Sequence, residues 1–463
     1  MLAVVVLLAG PTALAFFQGG YFDSARLVAA LVAWVLFGLA ALTSRQPLPR
    51  RSGGRFALAG LVLLTAWTGA SIAWAPLEAP AIDALQRDLL YVAALGAAAA
   101  LLRDPAARRA VEPTLALGTL VVVGYGLLDR LLPGIFQLKR STGALGRLEQ
   151  PLTYWNAMGA LAAIGTLLCV RLAGDPDRPR WMRAAAAASS VPLAPGVWLS
   201  YSRGALAALA VGLLALAALQ LTRAQIRAIA VAVVAGVPAA AVADSLDGVR
   251  AFEGSRERDG LIMLAVFLVL CGLAAAATWV TARRPAGPLR LPRWGSVAIA
   301  AGVVAVAAGV VGVAAQDKGH SAAAGASVQR LQSIESNRYD YWKVALGDGF
   351  GAHPLKGTGA GGFAVIWLEH RDVPERAKVA HSLYVETLAE LGLVGFAFLA
   401  LFIAGVALAA RRARHTAGPL AALIVFATHS AIDWDWQMPA LTLIAIVLMG
   451  LLIATGEDES APA

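Results

Sequence analysis

Apolar runs of about bilayer length recur from one end of this chain to the other, and no other feature restricts the fold as much. A spanning helix needs about 20 predominantly apolar residues. Fourteen candidate spans can be marked, at about 2–17, 26–43, 56–75, 87–102, 111–130, 153–170, 184–200, 203–221, 228–244, 259–281, 295–315, 384–410, 418–432 and 437–455. Of the 463 residues 59% are hydrophobic and only 14% charged, against about 25% charged in a soluble domain. The runs exceed the usual strand or buried core helix, which excludes a large soluble α/β enzyme. The expected fold class is all-α: a polytopic transmembrane helix bundle of about 14 spans (range about 12–14), each judged against that bilayer length, forming a single membrane domain over 1–463. The run at 2–17 also resembles a signal peptide, with Ala13-Leu14-Ala15 as a cleavage-like site, but it lacks a basic start, so a short first helix is favoured.

Charge placement gives the expected topology. The loops at 44–55, 103–109, 171–183, 221–227, 282–294 and 411–415 hold 20 of the 33 arginines and no lysine. By the positive-inside bias these loops are cytoplasmic. All five lysines, Lys139, Lys318, Lys343, Lys356 and Lys378, fall on the other side. That side carries the loop at 131–152, the tight turn at 200–204, and a long loop at 316–383 between the eleventh and twelfth spans. A loop of that length is usually functional, and it is expected to form a small helical extracytoplasmic cap. The net charge of +9 therefore reads as a topology signal, not as a nucleic-acid surface. Cys169 and Cys271 both lie in apolar runs, which fits neither a disulfide framework nor a zinc site.

Several polar residues stand where charge is expensive. Arg203, in "LSYSRGALAAL", either snorkels to headgroups or faces a cavity, because the turn is too short to project far. Arg338, in "SVQRLQSIESNRYDYWKVALGDGF", shares a helical stripe with Val328, Leu331, Ile334, Tyr341 and Ala345. It either pairs with Glu335 or Asp340 or turns inward toward an anionic ligand. His381 precedes the run at 384–410, with Ser382 as the expected N-cap. A histidine there is either structural or a general base that works near neutral pH. Glu386 and Glu390 share a helix face and need partners, for which the outer arginines are candidates. "HPLKGTGAGGF" (353–363) follows no strand, so it is read as a turn that brings backbone close to something and not as a nucleotide loop. "DWDWQ" (433–437) is either a divalent-cation site or an aromatic belt with solvated carboxylates; the second is favoured, and no metal site is assigned.

Together these stretches resemble the O-antigen ligase/polymerase family of bacterial membrane glycosyltransferases. "RLEQPLTYWNAMG" (147–159) looks like the family's outer loop running into a helix with a characteristic asparagine, here Asn156. "YSRGALAAL" (201–209) looks like its Ser-Arg-Gly turn. "NRYDYWKVAL…HPLKGTGAGGF" (337–363) looks like parts of its large loop, and "AHSLYVETLAELGLVG" (380–395) like its histidine segment. Two departures stand out: Ser382 where asparagine is frequent, and additional spans between Arg203 and the large loop.

The resemblance implies an inverting, metal-independent transfer without cofactor, in the cytoplasmic membrane, with the site on the extracytoplasmic face. The donor would be a glycan on undecaprenyl diphosphate, and the acceptor a hydroxyl on a lipid, glycan or protein. Arg203 and Arg338 would hold the donor diphosphate and His381 would activate the acceptor. Arg140, Arg147, Tyr154, Asn156, Tyr201, Trp342 and Lys356 would contact substrate, and Glu386, Glu390 and Ser382 would support the site. A surface-polysaccharide polymerase uses the same donor and stays open. So do two readings of other classes: a transporter of lipid-linked glycans, which predicts midplane charge and repeated halves, and a non-catalytic export scaffold.

Overall fold

A helix is the open-ended way for a chain to cross hydrocarbon, because every backbone N–H and C=O then bonds within its own segment. The computed structural model describes residues 1–44, 46–289, 301–302, 305, 309, 337–413 and 416–457. Those residues hold no strand, only an isolated bridge between Thr222 and Pro288. In chain order the helices are α1 (Leu2–Ala15), α2 (Asp23–Thr43), α3 (Ser52–Ser71), α4 (Glu78–Leu101), α5 (Pro105–Leu131), α6 (Trp155–Gly174), α7 (Arg180–Leu199), α8 (Arg203–Leu219) and α9 (Arg223–Ser245). A single turn, α10 (Asp247–Arg250), leads into α11 (Arg256–Thr281). Beyond the undescribed stretch come α12 (Arg338–Val344), α13 (Phe363–His370), α14 (Leu383–Ala410), α15 (Ala417–Ser430) and α16 (Pro439–Gly456).

Eight of the described helices are long and apolar enough to cross a membrane: α2, α4, α5, α6, α9, α11, α14 and α16. The remaining predicted spans differ in kind. α1, α8 and α15 are apolar but shorter. α3 and α7 have 20 residues each and stand outside the eight; one holds Arg55, Thr65 and Thr68, and the other Arg180, Arg183 and two prolines. Most of the predicted span at 295–315 lies outside the described residues, as do the start of the predicted cap, the stripe residues Val328, Leu331 and Ile334, and Glu335, one of the two expected partners of Arg338.

The bundle is built around α6. Its whole apolar window is buried, and α5, α7, α8, α9 and α15 pack on it. Only 17% of the corresponding window of α11 is buried and 28% of that of α2, so these helices present apolar surface outward, as a bilayer requires. α3 and α14 pack backbone against backbone. A Cβ on Gly405 would meet Ala57 N at 2.1 Å, and one on Gly60 would meet Phe402 N at 2.4 Å. Small residues that let backbones touch are a common device where hydrocarbon gives no hydrophobic drive to helix pairing.

α14 is broken at Gly392, whose φ of 66° and ψ of −165° belong to a region open almost only to glycine. The "HPLKGTGAGGF" loop docks on this break. Thr358 N and Gly359 N donate to the carbonyls of Ala389 and Glu390 at 3.0 and 2.8 Å, and Leu393 N donates to Pro354 O at 2.8 Å. The close approach expected of that turn is thus to α14. Above it α12 and α13 close over a small core of Tyr341, Trp342, Phe363 and Trp367. The described part of the long loop thus carries the short helices α12 and α13, with turns between and after them.

Candidate active site

α6, α8 and α14 all begin at one end of the bundle, where the α15–α16 turn also lies. Arg203 is the first residue of α8, and Ser202 caps that helix by accepting from Ala205 N at 3.2 Å. Ser382 caps α14 in the predicted way, accepting from Val385 N at 3.4 Å. His381 is fixed immediately before that cap. α12 delivers Arg338 from the cap side.

These side chains line one cavity of about 640 Å³. Its wall includes Arg203, Arg338 and His381 together with Arg147, Tyr154 and Asn156. Its charged wall residues are Arg147, Arg203, Arg338, Arg376 and Lys378 against Glu375, so the chamber favours an anion. Arg147 lies flat over the Trp155 ring at 3.5 Å, while its Nε and Nη2 donate to the carbonyls of Ala144 and Gly143. That arrangement fixes the guanidinium at the rim.

His381 is held with unusual definition. Its φ is 53°, a left-handed backbone uncommon for a residue with a side chain and often found at functional sites. Its ring stacks on Tyr341 at 5.2 Å between centroids. Nδ1 sits 3.0 Å from the Val379 carbonyl. A carbonyl only accepts, so Nδ1 carries the proton and Nε2 carries the lone pair. Nε2 makes no hydrogen bond among the described residues. Burial holds the imidazole below the ordinary histidine value; Asp433 acts in the opposite sense and Arg338 adds to burial. At neutral pH the ring is therefore a neutral acceptor.

Asp433 is the anchor behind the wall, and the sequence reading of it is corrected. Instead of solvated carboxylates in an aromatic belt, Asp433 and Asp435 are 0% and 1% exposed. Asp433 accepts from Arg338 Nη2 at 2.8 Å, Asn156 Nδ2 at 2.7 Å and the Tyr154 hydroxyl at 2.7 Å. Burial works against its charge, but Arg338, His429 and His381 outweigh burial and hold it below the usual carboxylate range. Asp435 turns away to His429 Nδ1 at 2.7 Å and the Ser430 hydroxyl. Two carboxylates that diverge into separate networks do not form one chelating pair. Tyr154 also stacks on Trp434, 4.3 Å between centroids, and Tyr21 packs on the same indole.

Glu386 and Glu390 take their hydrogen bonds from groups other than arginine, while Arg87 acts on both through its charge. Glu390 accepts from Gly361 N at 2.8 Å and Phe363 N at 3.1 Å. Glu386 accepts from Ala380 N at 2.9 Å and from the Gln437 amide. Both therefore brace the segment bearing His381 and the glycine loop.

Four expected substrate contacts are placed elsewhere. Arg140 pairs with Asp129 at 3.2 Å and lies over Phe252, in the fold of the 131–152 loop. Tyr201 is 1% exposed and donates to Asp244. Trp342 is buried in the cap core with its Nε1 on Ala380 O at 2.9 Å. Lys356 stands 5.5 Å from the Trp74 ring. None of the four lines the cavity. Sequence reasoning missed Tyr21, Glu375, Arg376 and Trp434 on the wall; all four sit in turns without periodicity.

The helices and this polar chamber define a multi-pass membrane protein. Residues 254–400 match the model of the O-antigen ligase family. That stretch runs from α11 into α14 and takes in Arg338, the glycine loop and His381, so the family resembled by the motifs is also the family matched. No curated protein matches the chain.

Proposed function

We propose that this protein transfers a glycan from a lipid diphosphate carrier, undecaprenyl diphosphate, to an acceptor hydroxyl on the outer face of the cytoplasmic membrane. The matched family carries the name O-antigen ligase, and ligation or polymerisation of such glycans is the corresponding chemistry. The observation that carries the reading is the shared cavity, in which Arg203 and Arg338 face the same space as His381 with its free Nε2.

The step is a single displacement. The acceptor oxygen attacks the anomeric carbon while the carbon–oxygen bond to phosphate breaks, and the electron pair leaves with the diphosphate. His381 Nε2 takes the hydroxyl proton. Negative charge grows on the leaving diphosphate, where guanidinium forks stabilise it without a metal ion. One attack from the face opposite the leaving group inverts the anomeric centre.

Purified protein with a synthetic lipid-diphosphate glycan and acceptor tests this. His381→Ala is expected to bind donor but to lose on the order of 10²–10⁴ in transfer rate. Transfer near the wild-type rate would reduce His381 to a residue that shapes the start of a helix and return the chain to the transporter or scaffold readings.

A further inference from the structure

The polar chamber adjoins a space of opposite character. Between α1 and α2 runs a groove of about 600 Å³, floored by Leu90 and Ala94 of α4 and Leu443 and Val447 of α16. Its lining is apolar except for Ser24 at the start of α2. Alanines and Gly10 keep it open; a Cβ added to Gly10 would meet nothing within 4 Å. From Ser24 to Leu36 the helical rise gives a length of about 18 Å.

One turn of the chain borders both spaces. Phe17 and Ser24 bound the groove, and Tyr21, in the turn between them, lines the chamber. The Tyr21 ring packs 5.5 Å from Trp434, itself part of the chamber wall. Arg26 ties this turn down by donating to Tyr21 O at 3.0 Å.

We propose that the α1–α2 groove seats the hydrocarbon tail of the lipid whose phosphates occupy the chamber. An anion site joined through one turn to a trough with almost no polar atoms matches an amphiphile with an anionic head. It gives a soluble sugar nucleotide nothing to place in the trough. The inference rests on reading the chamber as a diphosphate site, and it adds where the carrier chain runs.

The test compares binding of undecaprenyl diphosphate and geranyl diphosphate, which share a head and differ in tail length, to the purified full-length protein. Gly10→Trp fills the groove, and Val32→Trp fills it from the other wall. Gly38→Trp is the control, since a Cβ there also meets open space but Gly38 does not line the groove. The wild type and the control are expected to prefer the long tail by roughly tenfold or more, from the added apolar burial. Both filled variants should lose that preference and keep geranyl diphosphate binding. Filled variants that keep the full tail preference overturn the groove proposal alone and leave the trough to another lipid, such as the acceptor. A wild type that binds neither diphosphate overturns the reading of the chamber, and the occupant of the groove with it.

Discussion

Arg338 Nη2 donates to Asp433 Oδ2 at 2.8 Å across 95 positions of sequence, and the acceptor is wholly buried. The pair joins the cap to the α15–α16 turn. The same carboxylate holds Asn156 and Tyr154, so one buried charge aligns three wall residues from two distant parts of the chain. Removing one partner of such a pair strands the other at low dielectric, typically at a cost of about 3–5 kcal/mol. Asp433→Ala is therefore expected to lower thermal stability in detergent. The milder Asp433→Asn should leave a folded protein whose donor KM rises about tenfold, as Arg338 loses its charged anchor. Arg338→Lys should weaken donor binding as well as turnover, because an ammonium lacks the two-pronged contact with phosphate. Unchanged donor affinity in both Asp433→Asn and Arg338→Lys would show that the pair serves folding alone.

The acid limb of the rate profile reports on His381. Its lowered pKa, set first by burial and then by the opposed charges of Asp433 and Arg338, keeps the ring neutral at pH 7. In the proposed reaction the neutral form is the base. kcat/KM should therefore be level near neutrality and fall as pH drops through a midpoint below 6.5, the ordinary histidine value. Asp433 raises that midpoint, so Asp433→Asn should move it lower still. A midpoint above 6.5 in the wild type, or an upward move in Asp433→Asn, would contradict this arrangement.

What the sequence made legible follows from the kind of signal each feature leaves. Helices announce themselves by apolar runs, so α6, α14 and α16 stand close to where composition placed them. Ser382 was readable as a cap because capping needs a short polar side chain at one position. Asp433 was visible but misread, since a carboxylate beside two tryptophans looks the same whether it is solvated or buried; only its three donors, from distant segments, decide the matter. Arg140 and Tyr201 lie in or near motif-like stretches, yet partners 11 and 43 positions away, Asp129 and Asp244, turn them away from the cavity. Tertiary pairing of polar groups has no sequence period, which is why the wall was the least legible part.

The arginine asymmetry makes a topology that labelling can check. Cys169 is buried and Cys271 half-buried, so both are first replaced by alanine. A single cysteine at Lys356 should then react with a membrane-impermeant maleimide in intact cells, and one at Arg284 should react only after lysis. The reverse pattern would put the chamber on the cytoplasmic face, where an extracytoplasmic transfer has no place.

Glu390 should behave as a structural carboxylate, unlike His381. It accepts from Gly361 N and Phe363 N, and the next turn of the same helix is opened at Gly392. Leu355 O would lie 2.3 Å from a Cβ there. The glycine loop therefore fits only if the helix breaks, and Glu390 secures the loop in the break. A buried donor left without its acceptor costs about 1–3 kcal/mol. Glu390→Ala leaves one buried and one half-buried amide without an acceptor and should lower stability by about 3 kcal/mol. Glu390→Gln keeps an acceptor oxygen and should lose roughly half as much. Gly392→Ala should be at least as damaging as Glu390→Ala, because it meets both the backbone conformation and the Leu355 carbonyl. Protein that does fold from Glu390→Gln should transfer glycan at close to the wild-type rate per folded molecule. A large fall in that specific rate, with stability unchanged, would move Glu390 from the frame of the site into its chemistry.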